Sequence, residues 1–249
     1  PLGATSIITD DVGSGKSTAL RYAATKLHPS QYKVVSVVAS TGSMAEILRQ
    51  ICNGFDVDWQ TNSLARLTKT LRAAILEISQ RKQIPVLIID EASLMRLEIF
   101  AQLHTLSQFD MDSKPLLPIV LAGQNNLVDK LMFHTSRPLA SRIIGRSHLE
   151  GLKYKDMAGY IQHHLKIAGS KDQLFCDEAV LAIHQGSGGL LRRANLLAKG
   201  ALMAAANEKC QTCAEFISVS FHRNTSEWRQ PKSCEKSNPK TPEGYPPSL

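Results

Sequence analysis

The segment SIITDDVGSGKSTAL, residues 6–20, runs from an apolar, β-branched stretch through a glycine-rich turn into a helical pattern. Its end, Gly15-Lys16-Ser17, matches the closing half of the phosphate-binding pattern G-x-x-x-x-G-K-[ST]. Such a loop brings backbone N–H donors, a cation and a helix N-terminus to one place, which is what a triphosphate requires. The expected nucleotide contacts are therefore Val12, Gly13, Ser14, Gly15, Lys16, Ser17 and Thr18. Lys16 would reach the β- and γ-phosphates, and the Ser17 hydroxyl would ligate Mg²⁺.

Five residues before Gly15, where the pattern places its first glycine, stands Asp10. If that position needs a backbone shape that a Cβ disfavours, the cost is about 1–2 kcal/mol. A carboxylate about 8 Å from one net negative charge adds about 2 kcal/mol of repulsion at an effective dielectric of about 20. Together these weaken nucleotide binding by about a hundredfold, since each ~1.4 kcal/mol is tenfold. The expectation is a nucleotide site, weakened; the alternative is a degenerate copy that binds without hydrolysing.

The second half of such a site lies in VLIIDEAS, residues 86–93. A wholly apolar run suits a strand buried on both faces of a parallel sheet. It ends in Asp90 and Glu91, at the strand end where ligands bind in open α/β sheets. Asp90 can hold the Mg²⁺ shell and Glu91 can polarise the attacking water; the rival reading has the two acids merely capping the next helix. A third strand candidate, PIVLAGQNNL at 118–127, ends in Gln124, which would hydrogen-bond the γ-phosphate or the water, or is an ordinary strand-end residue. Arg142 and Arg146 fall near a last short strand around 145–150, and Arg192 and Arg193 open a late helix.

Around these motifs, strands alternate with helical patterns up to Lys153, which argues for a doubly wound α/β layer structure. Ser63 is placed to cap the long helix that follows it, and Gly54 to close the helix before it. Within that long helix Arg66, Lys69, Arg72, Arg81 and Lys82 form either a DNA contact or a solvated face. Three consecutive helical patterns follow Lys153. The expected organisation is an α/β unit over 1–152, a small helical unit over 153–209, and a polar, proline-rich, disordered tail over 210–249.

Composition adds boundaries. A hydrophobic fraction of 43% with 20% charged residues is that of a soluble globular protein. The net charge of +7 favours an acidic partner such as nucleic acid. No apolar run is long enough to span a membrane and no secretory signal is visible, so a cytoplasmic location is expected. Five scattered cysteines read as reduced thiols, and Cys210 and Cys213 make a lone CxxC without a second pair at zinc spacing.

The blocks DVGSGKST, PVLIIDEASLM, LAGQNNL, LASRIIGRSHLEGL and GSGGLLRRANLLAKGAL, in that order, resemble the AAA+ ATPases of the ExeA/GspA family, which also includes helper ATPases of DNA transposition. The likeness runs over residues 7–209. It implies a three-layer P-loop ATPase domain with a parallel sheet and a helical lid, ATP and Mg²⁺ as ligands, and assembly into a homo-oligomer. It makes Arg142 the arginine finger acting on a neighbour's nucleotide, and Arg192 the lid residue sensing the γ-phosphate. The wording of the blocks looks closer to the transposon-associated branch, with DNA and a transposase as partners; the alternative is a secretion-assembly ATPase. Besides Asp10, two departures stand out: little chain precedes the first strand, where the family packs a segment on the adenine, and a polar tail follows Cys210.

Overall fold

A computed structural model describes residues 4–110, 114–170 and 173–207. The five apolar runs form five strands: β1 (Thr5–Asp10), β2 (Tyr32–Val38), β3 (Ile84–Asp90), β4 (Ile119–Gln124) and β5 (Ile143–Leu149). They make one sheet in the order β2-β3-β4-β1-β5, every pairing parallel. Parallel neighbours need crossover connections, which the intervening helices supply.

The pleat sends alternate residues of each strand to opposite faces. Leu87 and Ile89 of β3, with Ile7 of β1 and Leu121 of β4, point into the larger core. There they meet α2 (Met44–Gly54), α3 (Leu64–Gln80) and α4 (Leu97–Ser107) through Ile51, Leu71, Ile75 and Phe100. Val86, Ile88 and Ala122 point the other way, against Leu20 of α1 (Lys16–Thr25). Both faces of β3 are therefore covered, as its unbroken apolar run requires. The result is the expected three-layer α/β/α arrangement with a parallel sheet.

Four local features differ from the sequence reading. Ser63 stands at the N-cap of α3 but its side chain makes no capping bond. Gly54 is the last residue of α2 rather than a terminator beyond it, and a Cβ there would collide with Val35 of β2. It is there for close approach of helix to strand. The last strand starts at Ile143, so Arg146 lies inside it, paired in register with Ile7. Arg72 is only half-buried and has an internal partner: it donates to the Thr105 carbonyl at 2.9 Å, near the end of α4, and lies over the Phe109 ring.

Two short helices, α5 (Asn126–Met132) and α6 (Arg137–Ala140), and a 3₁₀ turn at Ala92–Leu94 were not anticipated. Each is too short to display a hydrophobic period. After β5 come α7 (Tyr154–Ile167), α8 (Asp177–Ser187) and α9 (Leu191–Asn207), which enclose a second core built on Met157, Ile161, Phe175, Val180 and Ile183. The Cys210–Cys213 pair and the polar segment 210–249 lie outside the described residues.

Candidate nucleotide site

The carboxyl ends of β1, β3 and β4 open on the same edge of the sheet, where open α/β folds bind ligands. Register brings the site residues together: Asp10 lies beside Gln124, and Asp90 pairs with Val38. The loop after β1 turns on Gly13 (φ 97°) and Gly15 (φ 104°), a left-handed backbone open to glycine and costly for other residues. The same two glycines make room for helix α9. The Arg192 N–H donates to the Gly13 carbonyl at 3.0 Å, and a Cβ at Gly13 would come within 2.8 Å of Arg192 Cβ. At Gly15 it would meet Leu191 Cδ1 at 2.9 Å. Loop and α9 are thus in direct contact.

Between the loop, α1, α7 and α9 lies a cavity of about 640 Å³, within the range of small-molecule sites. Val12, Gly13, Gly15, Lys16, Ser17, Thr18, Glu91, Gln124 and Arg192 line it. Asp10 also lines it; Ser14 and Asp90 do not, but bond to residues that do, Asp10 and Ser17. The Ser17 hydroxyl donates to Asp90 Oδ2 at 2.6 Å, joining the phosphate loop to the acidic strand end. The other oxygen of Asp90 accepts from the Glu91 N–H at 2.8 Å. Glu91 itself has φ 53°, a left-handed backbone rare outside glycine and often found where a side chain is aimed for function.

The hydroxyl and carboxylate of Ser17 and Asp90 are hard oxygen donors brought into contact where the loop borders the cavity. That donor set fits Mg²⁺, which takes one or two protein oxygens and completes its shell with water and substrate phosphates.

Asp10 departs from expectation. It is the last residue of β1, paired with neighbours on both sides and not in a positive-φ conformation, so the anticipated backbone cost is absent. Its carboxylate is 1% exposed, and the Lys16 ammonium donates to Oδ1 at 2.7 Å. The Ser14 hydroxyl donates to Oδ2. A buried carboxylate must be paired and hydrogen-bonded, and the loop's own lysine and serine do this. Asp10 thus lines the cavity, as the sequence reading had it, but as the buried partner of Lys16, the cation that would bind phosphate, and not as an unpaired charge.

Arg142 lies outside the cavity wall. It precedes β5, half-buried, with Nη1 donating to Ser107 at the end of α4 at 3.2 Å. Arg146 and Arg193 are exposed and do not line the cavity either. The cavity does include residues that sequence reasoning missed: Arg21, Tyr160, His164, Asn195 and Lys199. On α9, Asn195, Leu196 and Lys199 follow Arg192 at i+3, i+4 and i+7, so the whole face was readable once Arg192 was placed. Tyr160 and His164, one turn apart on α7, stack edge to face at 4.4 Å, and Tyr160 shares hydrogen bonds with Asn195. Nothing in their local sequence separates them from an ordinary helix surface.

A phosphate loop and an acidic strand end, set side by side at the edge of a parallel α/β sheet, define a P-loop nucleoside-triphosphate fold. The AAA domain profile matches residues 4–131, about half of the chain, and the protein belongs to that family. A relative among characterised proteins is the General secretion pathway protein A of Aeromonas hydrophila, 30% identical over 200 residues. That alignment takes in 80% of this chain and 36% of the relative, so the chain spans about a third of that protein's length. Among solved structures, the ORC2 protein of Aeropyrum pernix in ADPNP–ADP complexes is similar with a TM-score of 0.64 at 17% identity, over 87% of this chain and 60% of that one. The ORC1 protein of the same organism in complex with DNA gives 0.58 at 12%, over 84% and 56%. At such identities these two structures speak for the fold alone.

Proposed function

We propose that the protein is a Mg²⁺-dependent ATPase that works as an accessory factor of DNA transposition, assembling as a homo-oligomer on DNA. The observation that carries the ATPase reading is the 2.6 Å contact between Ser17 and Asp90, with Glu91 and Gln124 lining the same cavity. Loop amides and Lys16 bind the phosphates, and Ser17 and Asp90 would hold Mg²⁺, which would supply positive charge to offset that of the phosphate groups. Glu91 orients and polarises the attacking water, and Gln124 hydrogen-bonds the γ-phosphate end from β4. Arg192 closes the lid over the nucleotide, and Arg142 completes a neighbour's site after leaving Ser107.

Asp10 gives this site its own character. ATP must take Lys16 from a buried carboxylate, so binding is an exchange of partners and not simple occupation of an open loop. The cost of stripping Asp10 of its cation comes out of the binding free energy, which supports a weakened site. A nucleotide-binding scaffold that turns over little is the reading at the far end of this effect.

Support for a DNA partner comes from the net charge of +7 and from the fold shared with a protein solved on DNA. A second reading, assembly of a secretion complex, is favoured by the 30% identity to the General secretion pathway protein A. We place either activity in the cytoplasm, where ATP is available. Among the described residues no helix is long and apolar enough to cross a membrane.

The direct test is ATP hydrolysis by the chain, by Lys16→Ala and by Glu91→Gln. Lys16→Ala should lose nucleotide binding, whereas Glu91→Gln should keep ATP bound and lose turnover. Undiminished turnover in Glu91→Gln removes that residue from the chemistry. Salt-dependent stimulation by duplex DNA separates the transposition reading from the secretion reading.

A further inference from the structure

We infer that Lys130 is a positioning residue for Glu91, linking the strand that carries Gln124 to the turn that Glu91 opens. Lys130 lies on α5, six residues beyond Gln124. Its half-buried ammonium donates to the carbonyl of Ser93 at 2.6 Å and to that of Met95 at 2.7 Å. Both carbonyls belong to the 3₁₀ turn that starts directly after Glu91 and to the residue that ends it. Among the described residues no carboxylate lies within ion-pair distance of this ammonium. The charge is held by backbone carbonyls that the turn leaves open at its end, in the sense that favours a cation at a helical C-terminus.

A second contact acts on the same turn. Gly123, the residue before Gln124, packs so close that a Cβ there would stand 2.8 Å from the Ser93 nitrogen. Strand β4 and helix α5 thus grip the turn from two sides, at Gly123 and at Lys130. Glu91, entering the turn in a left-handed conformation, has its backbone fixed by the Leu94 N–H donating to its carbonyl at 2.9 Å. A side chain set on so short a turn goes where the turn goes.

The inference rests on the proposed role of Glu91, and its test separates the two. Lys130→Met removes the donor at similar length, and Lys130→Gln keeps an uncharged donor. Each should bind MgATP within about twofold of the parent while losing turnover, since misplacing a catalytic group by about 1 Å costs up to about a hundredfold. Lys130→Gln should lose less. In a Glu91→Gln background, Lys130→Met should lower the residual rate no further, because residues acting as one unit are not additive. Three results overturn the inference: unchanged turnover, a loss of affinity or thermal stability that tracks the loss of turnover in both variants, or an additive loss in the double variant. If instead Glu91→Gln itself turns over normally, the reading of Glu91 fails first.

Discussion

Lys16 has two possible partners and one charge. In this structure it holds Asp10, and the pair is almost fully buried, with side-chain exposures of 7% and 1%. Removing one member of a buried pair leaves an uncompensated charge, at a cost of about 3–5 kcal/mol. Asp10→Gly should therefore lower the melting temperature of the nucleotide-free protein. It should also tighten MgATP binding by about tenfold or more, because Lys16 is then free for phosphate. Ligand-induced stabilisation follows affinity, so ATP should raise the melting temperature of Asp10→Gly more than that of the parent. Calorimetric titration giving equal affinities for both proteins would contradict the exchange. Asp10 was conspicuous in the sequence because it breaks a glycine pattern. What it binds was not legible there, because the pattern fixes the position of Lys16 and not the direction of its side chain. Asp90, Glu91 and Gln124 were legible as strand-end polar residues; Lys199 and His164 were not, since only the packing of α7 and α9 brings them to the cavity.

The long strands and helices could be read from hydrophobic period because each must bury a continuous face. β3 shows this best: five residues in succession, Pro85 to Ile89, are buried. The short pieces α5, α6 and the 3₁₀ turn carry no such period, and their positions are set by contacts such as Lys130 to Ser93. Caps were legible only in part. Ser63, the evident candidate, makes no side-chain bond, whereas the unpromising Cys176 caps α8 by accepting from the Ala179 N–H at 3.4 Å. A thiol is a weak acceptor. Cys176→Ser should then stabilise the protein by about 0.5–1 kcal/mol through a stronger cap, read as a higher denaturation midpoint at unchanged slope. At the C-terminal end of α2, Gly54→Ala should destabilise by about 1–3 kcal/mol, as overpacking against Val35 does in a close-packed core. A neutral result there would mean that α2 and β2 can part without loss.

In the molecule as a whole, α9 meets the phosphate loop, and the turn before α9 meets the segment after β5, where the Leu152 N–H donates to the Gly189 carbonyl at 2.9 Å. A nucleotide bound in the cavity, as proposed, would lie against residues of both the loop and α9. Arg142 belongs to a different surface, at the start of β5 and tied to the end of α4. A guanidinium supplied to a neighbour can be worth about 10³–10⁵ in rate. Arg142→Ala should bind ATP as the parent does and turn over far more slowly. Mixing it with Glu91→Gln should partly restore activity, because some interfaces then pair an intact Glu91 with an intact Arg142. The most direct measurement is ATP turnover per subunit at saturating MgATP, followed over a wide range of protein concentration. Turnover that rises with concentration and is lost in Glu91→Gln is the expected result. Turnover that is absent throughout, or flat and indifferent to Glu91, would contradict an assembling ATPase and leave a nucleotide-binding scaffold.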